Sequence, residues 1–178
     1  MRQVIRELIS DITPLDDLEQ THQEDTLRWI DTGADLFRQI KPATPPRHLV
    51  SYFLAVDEDQ ALLVDHKGAS LWLPSGGHVE PGEHPKETVQ REAMEELGIT
   101  PEFVFETPIF LTVTETVGSS PRHTDVSLWY VIKGNQKQAY DFDQNEFHRV
   151  QWFDFGKMPW ERTDPHMGRF LNKLRELR

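Results

Sequence analysis

The stretch that decides the fold is residues 76–99, which read GGHVEPGEHPKETVQREAMEELGI. Three glycines and Pro81 predict that its first half is a loop. Pro85 suits the first turn of a helix, where a missing N–H costs nothing, and Gly98 suits the position just after a helix ends. We therefore predict a loop followed by a helix over residues 85–97.

Three carboxylates fall on one side of this predicted helix. At about 100° per residue, Val89, Ala93 and Leu97 form its buried stripe. The carboxylates lie directly beside that stripe: Glu92, Glu95 and Glu96. Like charges at this spacing repel each other, so these groups are either solvated or held by a cation. Hard divalent cations such as Mg²⁺ prefer oxygen ligands, and a glycine loop can add a backbone carbonyl.

The spacing of these residues resembles the Nudix box of the MutT-like nucleotide pyrophosphohydrolases. The box is Gly, five residues, Glu, seven residues, Arg-Glu, an aliphatic or small residue, any residue, Glu-Glu, any residue, Gly and an aliphatic residue. Here it begins at Gly77, passes through Glu83 and Arg91, and ends at Ile99, with every specified glycine and charge in place. The resemblance is specific over these residues and weaker over the strands predicted within residues 47–155.

The resemblance implies an α/β fold, namely an α/β/α sandwich with a mixed β-sheet, here with an N-terminal helical extension. Hydrophobic patterning agrees with a mixed α/β layer rather than a doubly wound parallel sheet. Residues 118–121 form a predicted turn, and Phe170, Leu171, Leu174 and Leu177 predict a C-terminal helix. The predicted strands are 48–56, 61–64, 103–105, 109–117, 126–133 and 150–155, and residues 71–74 form another short apolar piece.

Residues 1–41 lie outside the resemblance. Residues 1–46 comprise an N-terminal helical extension and a Pro-rich connector, and they precede a predicted Nudix domain at 47–178. Apolar residues at helical spacing predict one helix ending before Pro14 and a second closing at Gly33, followed by a stiff connector at 42–46. A third apolar set continues the helical prediction: Leu36, Phe37 and Ile40. This extension could cover a sheet face, cap the substrate cleft or form a homodimer contact, and we expect it to pack on the domain itself.

The metal ligands are implied by the resemblance. By that likeness, Glu92, Glu95 and Glu96 bind Mg²⁺ or Mn²⁺, and the carbonyl of Gly76 or Gly77 completes the site. Glu92 or a nearby carboxylate would also activate the attacking water. The chemistry suits these residues, because metal ions neutralise pyrophosphate oxygens and lower the pKa of bound water.

Two supporting roles follow from the same likeness. Arg91 and Glu83 would pair and hold the loop against the helix, which orients the ligands. Family members often add one more carboxylate from a loop beyond the sheet, and Glu146 is the best candidate, with Asp141 and Asp143 as weaker ones. A solvated loop glutamate is an equally acceptable interpretation of Glu146.

The implied function is metal-dependent hydrolysis of the pyrophosphate of a nucleoside di- or triphosphate, or of a nucleoside diphosphate linked to another moiety. Such an enzyme acts on acid anhydrides in phosphorus-containing compounds. The alternative is a non-catalytic nucleotide-sensing module that regulates a partner, although the intact box favours the enzyme. Isomerisation of an isoprenoid diphosphate relies on a catalytic cysteine, and the chain has none.

Candidate substrate contacts surround the predicted strand at 126–133. Arg122, His123 and His78 could touch phosphate, and Asp125 could read a base, although a strand edge also carries such residues for solubility. The eight histidines show no metal-ligand spacing in the sequence. Aromatic residues that could stack on a base are more often part of a core at β spacing: Tyr52, Phe53 and Trp72.

The amino-acid composition limits the classes of molecule that the protein is expected to bind. The 178 residues suit one domain, and the absence of cysteine excludes disulfides and thiolate metal sites. A net charge of −11 disfavours binding to nucleic-acid polymers or anionic membranes, while a small nucleotide could still arrive with its metal. We expect a cytoplasmic protein, because residues 1–11 lack the apolar core of a signal peptide and no apolar run could span a membrane.

Overall fold

The computed structural model describes residues 1–41, 44–116 and 122–178. The predicted turn at 118–121 and residues 42–43 of the predicted connector lie outside the described residues. None of the helices in the described ranges is long and apolar enough to cross a membrane. In chain order the elements are α1 (Arg2–Ser10), α2 (Asp17–Asp31), β1 (Arg47–Asp57), β2 (Gln60–His66), β3 (Leu71–Leu73), β4 (Ser75–His78), α3 (Pro85–Leu97), β5 (Phe110–Glu115), β6 (Thr124–Lys133), β7 (Phe147–Asp154), a 3₁₀ turn (Trp160–Arg162) and α4 (Met167–Glu176).

Within the described residues, seven strands form one mixed sheet around the long strand β1. On one side, β6 runs parallel to β1, from Arg47 opposite Thr124 to Val56 opposite Lys133. On the other side, β1 pairs antiparallel with β4 and then with β2. Antiparallel pairs then add β3 and β7 to β2, and β5 to β6. The parallel pair is what makes the sheet mixed, as the predicted fold class requires.

Helices cover both faces of the sheet, which confirms the predicted α/β/α sandwich. Alternate residues of β1 point to opposite faces, so Leu49 and Phe53 join one hydrophobic cluster while Leu54 and Val56 join the other. The first cluster includes residues from α1, α2 and α3: Ile5, Ile9, Ile30, Val89, Ala93 and Leu97. The second includes residues from α4: Met167, Phe170, Leu171 and Leu174.

The N-terminal helices pack on the sheet, as expected. Ile5 and Ile9 of α1 and Ile30 of α2 are fully buried in the same cluster as the box helix α3. Helical structure does not continue to residue 41, however. Residues 34–39 form neither helix nor strand, and the carbonyl of Leu36 accepts the N–H of Leu49 at 2.8 Å, which attaches this segment to the start of β1. The boundary between residues 46 and 47 stays a prediction.

Two short segments differ from the sequence prediction. Residues 75–78 were expected in a loop, but they form β4, because backbone hydrogen bonds to β1 satisfy their polar groups despite two glycines. Residues 103–105 were expected to form a strand, but the structure shows an isolated bridge between Phe103 and Ile132. Aromatic residues at 103 and 105 therefore pack on the core from an irregular segment.

A buried ion pair joins the two ends of the chain. The Lys173 Nζ of α4 donates to the Glu19 Oε1 of α2 at 2.7 Å, and the Glu19 side chain is fully buried. Glu19 also accepts the backbone N–H of Leu15 at 2.7 Å and of Leu111 at 3.2 Å. Next to it, the His22 Nδ1 of α2 accepts the N–H of Val113 at 3.4 Å. Helix α2 is thereby fixed to both α4 and the outer strand β5.

We expect Lys173→Met to lower the free energy of unfolding by about 3 kcal/mol, because it leaves the Glu19 carboxylate buried without its cation. Adding Glu19→Gln should recover part of this loss, since the buried charge is then removed. Urea unfolding at neutral pH measures both variants. As a control, Glu24→Gln breaks an exposed pair with Arg28 and should change stability by less than about 0.5 kcal/mol. An equal effect of Lys173→Met and the control would contradict this account.

Candidate active site

Helix α3 begins and ends where the sequence predicts. The Nδ1 of His84 accepts the N–H of Lys86 at 3.1 Å, and the carboxylate of Glu87 accepts the N–H of His84 at 2.9 Å, which forms a capping box. Pro85 occupies the first turn, and Gly98 ends the helix in the left-handed region with φ of 65°. These caps fix the helix in the position from which its glutamates face β4.

The two glycines of β4 let the backbone approach two of those glutamates closely. The N–H of Gly76 donates to Glu96 Oε2 at 3.0 Å. A Cβ on Gly77 would lie 1.9 Å from Glu92 Oε1, and one on Gly76 would lie 2.2 Å from the carbonyl oxygen of Ser51. A larger residue at position 76 would therefore push the strand away from the backbone of β1, and one at position 77 would displace the Glu92 carboxylate.

Burial and crowding of negative charge perturb both carboxylates. Burial raises the pKa of Glu96 to about 9, and the charges of Glu92, Glu146 and Asp143 act in the same direction. Burial also raises the pKa of Glu92, although its hydrogen bond from Arg91 opposes this. Four carboxylates thus converge on one place, and a divalent cation would relieve their repulsion.

Arg91 connects the loop, the helix and β4. Its Nε donates to Glu83 Oε1 at 3.0 Å, its Nη2 to the carbonyl of His78 at 3.2 Å, and its Nη1 to Glu92 Oε1 at 2.6 Å. Glu83 also accepts the hydroxyl of Thr88 at 2.7 Å. The geometry thus brings Arg91 and Glu83 together in the pairing that the family resemblance implies.

Glu95 and Glu146 lie at the rim of this carboxylate group. The Glu95 side chain is 61% exposed, and its Oε2 lies 3.4 Å from Arg91 Nη1. Its charge still raises the pKa of Glu92. Glu146 is exposed on the segment that leads into β7, and its charge raises the pKa of both Glu92 and Glu96. Both rim residues are accessible from solvent, whereas Glu96 is buried.

Of the residues predicted to contact substrate, one is exposed and the other three lie together in a cluster. Arg122 is exposed. His78, His123 and Asp125 gather with His48, and one ligand atom from each of the four lies within 4.8 Å of the others. Sequence spacing missed this cluster because the residues come from three different segments. The absence of metal-ligand spacing in the sequence is therefore compatible with a cluster that forms only in the fold.

Arg38 lies in the irregular segment 34–39 after α2, and its side chain contacts the site. Its Nη1 lies 3.1 Å from the Nε2 of His78. Burial lowers its pKa, while the charges of Asp125 and Glu92 raise it, so the guanidinium lies between the histidine cluster and the box carboxylates. The sequence offers no signal for this position, because it depends on how residues 34–39 pass over the sheet.

The predicted aromatic candidates differ in burial. Phe53 and Trp72 are core residues, with 1% and 4% of their surfaces exposed. Tyr52 is half-buried and remains a candidate for contact with a base. Burial raises its pKa, and three carboxylates act in the same direction: Asp125, Asp164 and Glu96. Asp164, which the sequence did not single out, is itself buried, and burial raises its pKa to about 6.

Comparison with known proteins agrees with this geometry. A sequence model of the NUDIX domain matches residues 45–174, which is well over half of the chain. The chain belongs to the NUDIX family. It is thus a Nudix-type pyrophosphohydrolase, an enzyme of the class that acts on nucleoside diphosphate-linked compounds in general. No curated protein matches the sequence significantly.

Solved structures support the NUDIX fold. A hydrolase of the NUDIX family from Clostridium perfringens superposes with a TM-score of 0.57 and 21% identity, covering 74% of this chain and 99% of that one. A MutT NUDIX hydrolase from Burkholderia pseudomallei gives a TM-score of 0.56 and 19% identity, covering 71% of this chain and 97% of that one. At these identities the likeness concerns the fold alone.

We expect the stability of the metal-free protein to fall as the pH rises from about 7, where free histidines are already largely neutral, to about 9. Over that range folded Glu96 holds a proton that the unfolded chain has released, so unfolding becomes more favourable by up to about 1.4 kcal/mol per pH unit. Glu96→Gln should remove this dependence and raise the melting temperature in EDTA at pH 8. The measurement is thermal unfolding in EDTA across this range.

The control for this experiment is Glu102→Gln, which makes the same chemical change at an exposed side chain that pairs with Lys133. It should keep the pH dependence of the unaltered protein. If Glu96→Gln and Glu102→Gln gave the same slope, the perturbed proton would belong to another group.

Proposed function

We propose that this Nudix protein is a metal-dependent hydrolase that cleaves the pyrophosphate of a nucleoside di- or triphosphate, or of a nucleoside diphosphate linked to another moiety. The observation that carries this proposal is the placement of Glu92 and Glu96 side by side against Gly76 and Gly77. Carboxylates that lie close to the backbone and interact through their charges are suited to a hard divalent cation.

The residues present fit Mg²⁺ or Mn²⁺. Glu96 is buried among negative charges that raise its pKa to about 9, so without a cation this carboxylate takes up a proton at neutral pH. We assign Glu92, Glu95, Glu96 and Glu146 as carboxylate ligands, together with a carbonyl of Gly76 or Gly77. When bound, the ion supplies neutralisation of the pyrophosphate charge and a lower pKa for a bound water.

The chain's own residues would orient the reacting groups. Arg91 holds Glu92 through its 2.6 Å contact and links it to Glu83, so the carboxylate keeps one orientation. Glu92 or a neighbouring carboxylate then accepts the proton of the attacking water. A carboxylate with a raised pKa is a better base near neutral pH than an exposed one, and burial raises the pKa of Glu92.

The cationic side of the cleft suits the phosphates of the substrate. Arg38 lies close enough to Glu92 for their charges to interact, and His78 and His123 lie beside it. We assign these residues, together with Arg122, to phosphate contact. Asp125 on the same wall is assigned to contact with the base or sugar. A guanidinium binds phosphate oxygens through charge-assisted hydrogen bonds, which explains why a net acidic protein can bind an anionic substrate.

We expect Glu92→Gln and Glu96→Gln each to reduce turnover by more than about 100-fold while the fold survives, because each removes a charge that holds the metal. Release of phosphate or pyrophosphate from a panel of nucleotides with Mg²⁺, against an EDTA control, measures the activity. The panel should include canonical and oxidised (deoxy)nucleoside triphosphates, nucleotide sugars and dinucleoside polyphosphates. Glu102→Gln is the matched control and should retain activity.

Two results would contradict the proposal. Near-normal hydrolysis by Glu96→Gln would show that the box glutamates do not hold a catalytic metal. Equal turnover in Mg²⁺ and in EDTA would show that hydrolysis does not depend on a metal. A protein that binds a nucleotide from the panel but releases no product would instead support the nucleotide-sensing alternative. The homodimer and the cytoplasmic location stay predictions.

A further inference from the structure

We propose that His48, His123 and Asp125 form a second metal site, selective for a transition-metal ion of the Zn²⁺ type, with His78 beside it. This site goes beyond the proposed hydrolysis and uses none of the box glutamates. Metal ligation would replace the direct substrate contacts assigned above to His78, His123 and Asp125. Its ligands are nitrogen-rich, whereas the box offers oxygen, and imidazole favours Zn²⁺, Co²⁺ or Ni²⁺ over Mg²⁺.

Strand register explains how the four residues meet. In the parallel pair of β1 and β6, His48 is directly opposite Asp125, and His123 comes two residues before Asp125. On the other side of β1, His78 of β4 is opposite Val50, which is two residues from His48. Because side chains alternate between faces along a strand, all four groups are directed to the same face of the sheet.

The environment of His48 leaves one ring nitrogen directed at the cluster. Its side chain is fully buried, and its Nδ1 lies 2.8 Å from the carbonyl oxygen of Pro45. A carbonyl can only accept, so Nδ1 carries the hydrogen and the Nε2 of the neutral ring bears a lone pair. That Nε2 lies 3.3 Å from Asp125 Oδ1. Neither buried atom has a hydrogen-bond partner among the described residues.

His123 repeats this arrangement from the opposite side. Its Nδ1 lies 3.1 Å from the hydroxyl oxygen of Thr116, and this hydroxyl also lies 3.3 Å from the carbonyl oxygen of His123. In the tautomer that binds a metal through Nε2, Nδ1 donates to the hydroxyl and the hydroxyl donates to the carbonyl. The Nε2 of His123 is therefore the atom that faces Asp125 Oδ1, at 3.4 Å. Metal-binding histidines commonly donate their other ring N–H to a carbonyl or a polar side chain in this way.

Two separations in the cluster match those around a tetrahedral ion. Ligands about 2.0–2.1 Å from Zn²⁺ lie about 3.3–3.4 Å from one another, and the two observed distances from Nε2 to Oδ1 are 3.3 and 3.4 Å. The Nε2 of His48 and the Oδ1 of Asp125 are buried without a hydrogen-bond partner among the described residues, and a metal ion between them would satisfy both atoms. The His123 ligand atom lies within 4.8 Å of the others, so it can join the same ion.

His78 is the additional ligand, and its availability depends on Arg38. A guanidinium only donates, so the contact of 3.1 Å from Arg38 to the Nε2 of His78 uses the lone pair of that nitrogen. The primary site is therefore the set of three, with the fourth position taken by water, by a substrate oxygen, or by His78 when Arg38 moves away. A site with three protein ligands and one open position is the arrangement of reactive rather than purely structural zinc.

The experiment is a titration of the full-length, metal-free protein with Zn²⁺ and Co²⁺ in excess Mg²⁺, which occupies the glutamate site. We expect one equivalent of Zn²⁺ by calorimetry, and visible absorption bands of tetrahedral Co²⁺ that Zn²⁺ abolishes. Asp125→Asn keeps the shape of the side chain and should weaken binding at least about 10-fold, as should His123→Gln. His148→Gln, an exposed histidine outside the cluster, is the matched control and should bind normally.

A further variant separates this site from the proposed active site. The double substitution Glu92→Gln and Glu96→Gln should retain Zn²⁺ and Co²⁺ binding even if it abolishes hydrolysis. The proposal is overturned if the unaltered protein binds no stoichiometric Zn²⁺ in excess Mg²⁺. It is also overturned if Asp125→Asn and His123→Gln, shown to be folded by their thermal unfolding, bind as tightly as the control. Loss of binding in the glutamate double variant would place the ion at the box instead.

Discussion

The pairing of β1 with a different strand on each side is the constraint on which the rest of the molecule depends. On one side, β1 and β6 run parallel, which sets His48 opposite Asp125. On the other side, Ser51 is opposite Gly77 in β4, which brings the glycines under the box helix. A shift of one residue in either pairing would turn these side chains to the opposite face. One central strand therefore positions both the histidine cluster and the glycines that contact the box helix.

The pairing of β1 with β4 also helps to explain why the site can hold several carboxylates close together. Glu96 is held by the N–H of Gly76 and by the packing of its helix, so it cannot move out to solvent when its neighbours are ionised. Arg91 donates to Glu92, but within the described part of the chain the Glu96 carboxylate accepts a hydrogen bond only from the backbone N–H of Gly76. The free energy that keeps these groups together comes from the hydrophobic core on both faces of the sheet.

Local signals were enough to predict the box helix. His84, Pro85 and Gly98 act within one or two turns of their own positions, so their effect can be read from the sequence. Strand β4 was missed because two glycines argue for a loop and only the partner strand shows otherwise. Arg38 was missed for a similar reason, since its place depends on contacts with residues far along the chain. Long-range register carries no local sequence signature.

The contacts of α2 with β5 have a consequence for the behaviour of the whole molecule in a crowded solution. Strand β5 lies at the edge of the sheet. Without a partner, its outward N–H groups would be able to pair with a strand from another chain. Glu19 and His22, three residues apart on α2, accept the N–H groups of Leu111 and Val113. The side chains of α2 thus accept the hydrogen bonds that a neighbouring strand would otherwise accept. Because α2 is a helix, it adds no further unpaired strand to the sheet. In this way the N-terminal segment protects the sheet against edge-to-edge aggregation.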